Sequence, residues 1–136
     1  MKNLLKTIML IDDDVPTNYL NKMVIDQSEC AEKVITVNSA VEALKFLKDQ
    51  PKEEMPDLIF LDINMPAMNG WEFLEAYKEF PDNKKEDTVV MMLSTSENPD
   101  DKMRANCIKD ISGFMVKPLS EDVVADVMGE FFEGKV

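Results

Sequence analysis

The sequence predicts an α/β protein: a doubly wound, five-stranded parallel sheet with helices on both faces. Two observations predict it. Five short apolar runs, at 8–11, 34–37, 58–61, 89–93 and 114–116, lack the strict apolar–polar alternation of half-buried strands and suit strands covered on both sides. Each run is followed by a segment with helical periodicity or a helix-start signal. A β-α unit repeated five times closes into such a sheet through right-handed crossovers.

Taken in order, the first helix opens near Pro16, with Asp14 placed as its N-cap, and Tyr19, Leu20, Met23 and Val24 fall on one of its faces. Ser39 followed by Glu42 has capping-box spacing, and Ala40, Ala43, Leu44 and Leu47 form the buried stripe of the second helix. Trp71, Leu74 and Tyr77 or Lys78 begin a third helix after Gly70. Asn98-Pro99-Asp100-Asp101 starts a fourth, combining a capping side chain, proline at the first helical position and acids at the positive end of the dipole. Ser120-Glu121-Asp122 starts the fifth, with Val123, Val124, Val127, Met128 and Phe131 turned inward. The polar stretches 50–54 and 81–88 read as surface loops. No repeat, low-complexity segment or composition shift divides the chain, so a single domain over residues 1–136 with no effector domain is expected.

Composition narrows the chemistry. The 136 residues include 27 acidic and 15 basic side chains, two cysteines and no histidine. A chain of this length buries roughly two thirds of its unfolded surface. The formal charge of −12 argues against a nucleic-acid partner, because phosphates are recruited by positive potential. Without histidine there is no serine–histidine or cysteine–histidine relay, no phosphohistidine carrier and no histidine-liganded zinc. Cys30 and Cys107 form no CxxC pattern and read as reduced thiols of a cytosolic protein. The run Ile8-Met9-Leu10-Ile11 ends on three aspartates, so neither signal peptide nor membrane span is expected, and a cytoplasmic location is. Carboxylate, lysine and hydroxyl chemistry remain.

Those groups collect at strand ends. The first strand ends at Asp12-Asp13-Asp14, the third at Asp62, the fourth at Ser94-Thr95-Ser96 and the fifth at Lys117-Pro118. In a doubly wound sheet these ends share the edge where ligands bind. Neighbouring carboxylates disfavour one another's ionisation, which a hard divalent cation relieves. Mg²⁺ takes one or two carboxylates and completes its shell with water and phosphate oxygens. A carboxylate can also attack phosphorus to give an aspartyl phosphate, and a hydroxyl and an ammonium beside it can bind the phosphoryl oxygens. The set fits phosphoryl transfer onto Asp62. Plainer roles compete residue by residue: Asp14 as a helix cap, Lys117 as a surface lysine, Phe114 as a core aromatic, and Met91 and Met92 as core filler. Three consecutive aspartates nevertheless exceed what capping needs.

These residues resemble the receiver domain of bacterial two-component response regulators. Met9-Leu10-Ile11-Asp12-Asp13 is similar to that family's apolar strand ending in an acidic pair. Pro56-Asp57-Leu58-Ile59-Phe60-Leu61-Asp62-Ile63-Asn64-Met65-Pro66 is similar to its phosphoacceptor segment, with Gly70 where that motif has glycine. Met92-Leu93-Ser94-Thr95 resembles the fourth-strand hydroxyl motif, and Phe114-Met115-Val116-Lys117-Pro118 the fifth-strand lysine–proline motif. The likeness runs over essentially the whole chain and implies a flavodoxin-like fold with strand order 2-1-3-4-5. It implies that Asp62 is phosphorylated by a sensor histidine kinase or a histidine phosphotransfer protein. Asp13 would hold Mg²⁺ directly, Asp12 through water, Asp62 with its carboxylate and Asn64 with its backbone carbonyl. Ser94 would hydrogen-bond the phosphoryl group, Lys117 would pair with it, and Phe114 would be the switch aromatic that follows Ser94. Asn64 and Ser96 occupy positions that tune loss of the phosphoryl group. Two positions depart from the commoner pattern: Ser94 stands where threonine is more frequent, and Phe114 lacks the hydroxyl of tyrosine. Asp14 leaves the metal pair open by one register.

The resemblance implies a signalling switch and not an enzyme acting on other substrates. Its chemistry is self-phosphorylation from a phosphodonor and self-dephosphorylation, and its output is a downstream protein target that reads the fourth helix, fifth strand and fifth helix, or a relay of the phosphoryl group. The alternatives are a phosphate-independent receiver-like binding module and an aspartate-nucleophile phosphatase of the haloacid-dehalogenase type. The latter expects a second acid two residues after the nucleophile, where this chain has Asn64. A flavodoxin-like mononucleotide carrier would need a glycine-rich loop after the first strand, and none is there.

Overall fold

The computed structural model describes residues 5–94, 98–116 and 119–132. Its strands are β1 (Leu5–Ile11), β2 (Ala31–Val37), β3 (Leu58–Asp62), β4 (Val89–Ser94) and β5 (Gly113–Val116). All pair in parallel, in the order β2-β1-β3-β4-β5. This is the doubly wound sheet expected from the apolar runs. The helices are α1 (Val15–Ser28), α2 (Ala40–Asp49), α3 (Gly70–Tyr77), α4 (Asp82–Lys85), α5 (Pro99–Asn106) and α6 (Glu121–Phe131). The one-turn α4 adds to the five helices expected, so the expected fourth and fifth helices are α5 and α6. Among the described residues no helix is long and apolar enough to cross a membrane.

Strand periodicity divides the core in two. Met9, Ile11, Ile59, Leu61, Val90 and Met92 point to the face covered by α2 and α3, where they pack with Ala40, Leu47, Phe73 and Tyr77. Ile8, Leu10, Leu58, Phe60, Met91 and Leu93 point to the other face, against Ile25 of α1 and Val124 and Val127 of α6. Successive side chains of a strand alternate faces, so an uninterrupted apolar run is what a sheet covered on both sides demands. The edge strands differ. In β2 only Val37 is buried, and β5 has no buried residue, because an edge strand has one neighbour and less helix over it.

The helix starts lie where their caps predict. Asp14 accepts from Thr17 N at 3.0 Å, Ser39 from Glu42 N at 3.1 Å, Asn98 from Asp100 N at 2.9 Å and Ser120 from Val123 N at 3.2 Å. Each supplies an acceptor to an amide that has no partner within the first turn.

The structure adds the burial of α1 and corrects one sequence expectation. Of the apolar face read on α1, Tyr19 is 64% exposed, Leu20 58% and Met23 40%, and Val24 alone packs on the core, while Asn18, Asn21 and Ile25 are buried. The inner face of this helix runs over the ends of β1 and β2, where backbone carbonyls need donors, and only its later turn reaches apolar core. Segment 81–88 is not a plain surface loop. It folds into α4 and buries Lys85, whose Nζ donates to the Asp110 carboxylate and to Lys78 O, both at 3.2 Å, above the Tyr77 ring. A buried lysine requires such partners. Within 50–54, Lys52–Glu54 forms a single 3₁₀ turn.

Candidate functional site

The register of the central strands assembles the site. Ile11 lies beside Leu61, which brings Asp12 alongside Asp62, and Asp62 lies beside Leu93, with Ser94 one residue further on. Neighbouring strands that end within a residue of each other present these side chains at one edge. Carboxylate oxygens of Asp12, Asp13 and Asp62 all lie within 4.8 Å of one another. Asp12 is 3% exposed, Asp62 4% and Ser94 2%, whereas Asp13 is exposed. Three carboxylates this close, two of them buried, form a donor set for a hard cation: oxygen-only, compact and open on the Asp13 side. Asp14 is occupied otherwise. Its carboxylate caps α1 and also accepts from the Thr17 hydroxyl, while Asp12 and Asp13 are the two that cluster with Asp62.

The loop after β3 is held tightly against Asp62. Gly70 N donates to Ile63 O at 2.8 Å, and Ile63 N to Leu93 O at 3.2 Å. A Cβ on Gly70 would come within 2.7 Å of Asp62 O and 3.0 Å of Ile63 Cα, so only glycine lets α3 start this close to the strand end. Ahead of it Ala67 turns the chain with φ at 65°, and Asn69 and Glu72 complete a capping box. Trp71 follows, buried, with the Arg104 guanidinium of α5 4.4 Å from its ring centroid. The arrangement links the peptide of Asp62, through the first turn of α3, to α5.

A family comparison decides what the edge belongs to: residues 8–128 match the response regulator receiver domain. The chain belongs to that family. This receiver domain is 34% identical over 110 residues to response regulator Rcp1 of Synechocystis sp., covering 75% of this chain and 74% of that protein. It is 34% identical over 121 residues to the two-component response regulator ORR1 of Oryza sativa subsp. japonica, covering 85% of this chain but 51% of that protein. The chain thus spans about half the length of that curated relative. A crystal structure of a two-component response regulator from Cytophaga hutchinsonii superposes with a TM-score of 0.88 at 28% identity, covering 95% of this chain and 98% of that one.

Of the residues singled out from sequence, the receiver domain brings Asp12, Asp13, Asp62 and Ser94 to one edge. Asn64 is exposed in the loop just beyond Asp62. Phe114 is half-buried on β5, beside Met92 and packed on the α2–α3 face of the core. Lys117, Pro118, Thr95 and Ser96 lie outside the described residues. One residue at this edge escaped sequence reasoning. Asn18 of α1, buried, donates from Nδ2 to Asp12 O at 2.8 Å. Its signal was present: Asn18, Asn21 and Ile25 recur at spacings of three and four, a stripe that reads as an inner face once polar residues are admitted to it.

Proposed function

We propose that this receiver domain accepts a phosphoryl group on Asp62, from the phosphohistidine of a sensor histidine kinase or a histidine phosphotransfer protein, in a Mg²⁺-dependent step. The observation that carries the reading is the convergence of the Asp12, Asp13 and Asp62 carboxylates within 4.8 Å beside a buried Ser94 at the carboxyl ends of parallel strands. Asp12, Asp13 and Asp62, with the backbone carbonyl of Asn64, would hold the ion, whose contribution when bound is to offset the carboxylate charge and the charge of the incoming phosphoryl group.

The chain's own residues account for the rest. An Asp62 carboxylate oxygen attacks phosphorus as the P–N bond to the donor imidazole breaks; the bond pair returns to that nitrogen, the ring keeps the proton on its other nitrogen and leaves as neutral histidine, and Asp62 becomes an acyl phosphate. Water later attacks the same phosphorus, breaks the new P–O bond and releases inorganic phosphate. Ser94 and Lys117 bind the phosphoryl oxygens. The phosphoryl group carries about −2 charge near neutral pH in place of the single carboxylate charge, which draws the Ser94 hydroxyl inward and frees space that Phe114 fills. Phe114 lies on β5 between α5 and α6, so α5, β5 and α6 form the surface that changes and that a downstream protein reads. The formal charge of −12 favours a protein target over nucleic acid.

Intact mass after incubation with Mg²⁺ and acetyl phosphate tests the reading. The expected result is gain of one phosphoryl group, lost in Asp62→Asn and without Mg²⁺. Label that persists in Asp62→Asn would move the site elsewhere. A folded protein that binds Mg²⁺ but gains no mass would instead favour a phosphate-independent binding module.

A further inference from the structure

Asn18 is 2% exposed, and its side-chain amide sits between the last peptides of β1 and β2. Nδ2 lies 2.8 Å from Asp12 O, 3.2 Å from Val37 O and 3.1 Å from Asn38 Oδ1, so its two N–H bonds are shared among three acceptors. Two of those acceptors are backbone carbonyls, which identifies the atom facing them as nitrogen. The preceding peptide is also held, with Asp12 N donating to Val37 O at 3.1 Å. One carboxylate oxygen of Asp12 accepts from Asp14 N at 3.0 Å. The acid is therefore flanked by two restrained peptides, and the Asn18 side chain holds the carbonyl of the second.

The amide is a costly choice for a merely structural position. Its Oδ1 is buried and has no hydrogen-bond partner among the described residues. A buried acceptor without a partner is destabilising, and an apolar side chain of similar volume would avoid it. What leucine could not do is grip the Asp12 carbonyl. We infer that Asn18 is a positioning residue for the acidic cluster, clipping the Asp12 peptide to the end of β2 so that its carboxylate is held in place for a divalent cation. The inference rests on the Mg²⁺-dependent reading of the site. Groups that orient a metal-binding side chain from behind are worth about 10–100-fold in metal affinity.

Mg²⁺ titrations of the full chain, followed by the amide NMR shifts of Asp62 and Ile63, test this alongside urea unfolding. Asn18→Leu is expected to bind Mg²⁺ about 10–100-fold more weakly while remaining folded. Asn38→Ala, which removes an Nδ2 acceptor but leaves the Asp12 clip, should titrate like the unmodified chain. Ile25→Ala, buried on the same helix, should lose stability and keep its Mg²⁺ affinity. Unchanged Mg²⁺ affinity in folded Asn18→Leu overturns the inference, as does an equal loss in Ile25→Ala, which would reduce the effect to general loosening of α1. Should Asn18→Leu not fold, Asn18→Ala makes the same comparison without added bulk. If the unmodified chain itself does not bind Mg²⁺, the Mg²⁺-dependent reading fails and the inference with it.

Discussion

At the scale of single residues, the loop from Asp62 to Gly70 concentrates the tightest constraints. Gly70 is held by close approach: the nearest atoms to an added Cβ are backbone atoms of Asp62 and Ile63, which cannot swing aside. Gly70→Ala should therefore lower stability by about 1–3 kcal/mol in urea unfolding and slow phosphorylation by displacing the Asp62 peptide. Ala67 presents the opposite case. Its φ of 65° lies where an L side chain is strained, and Ala67→Gly should raise stability by about 1 kcal/mol. An urea midpoint unchanged or lowered by Ala67→Gly would show that the loop holds that geometry without strain.

At the scale of elements, α1 separates hydrophobicity from burial. Leu20 is 58% exposed and Ile25 is 1% exposed, on the same helix. Leu20→Ala should change unfolding free energy by no more than about 0.5 kcal/mol, whereas Ile25→Ala should cost about 2–5 kcal/mol. Equal costs would mean that Leu20 packs against the fold. The exposed stripe of Val15, Tyr19, Leu20 and Met23 begins beside the acidic cluster, since Val15 is one residue beyond the Asp14 cap. Sequence periodicity grouped Tyr19, Leu20, Met23 and Val24 on one face without giving its direction, because a 3.6-residue pattern identifies a face and says nothing of which neighbour it meets. Similarly, 81–88 reads as polar surface until Asp110, 25 residues beyond Lys85, arrives to pair with it.

For the molecule as a whole, the pH dependence of stability has an identifiable alkaline component. Burial, reinforced by the Asp110 carboxylate, pushes the Tyr77 phenol above its ordinary range, and Thr88 only partly opposes this. The folded pKa thus exceeds the unfolded one. Native Tyr77 keeps its proton where the unfolded chain gives it up, so this contribution is fully present below about pH 10 and is lost as pH rises through the unfolded and then the folded pKa. Urea midpoints measured from about pH 8 to about pH 11 should fall, and Tyr77→Phe should flatten that fall while changing neutral-pH stability little. An identical slope in the variant would assign the alkaline loss to other groups.

The sequence by itself determined the fold class, the helix starts and the identity of the acids at the strand ends. Each of these is a local property: continuous apolar runs such as 58–61 demand cover on both faces, caps such as Asn98 and Ser120 act on their own first turn, and Asp12, Asp13 and Asp62 stand directly after strand residues. Only the tertiary structure decided which of the three consecutive aspartates joins Asp62, that α1 turns its asparagines inward, and that Gly70 meets the Asp62 carbonyl. These depend on which strand ends lie side by side and on where backbone carbonyls need donors. The β1–β3 register that brings Asp12 within reach of Asp62 is set by side chains far apart in the chain, and no local pattern encodes it.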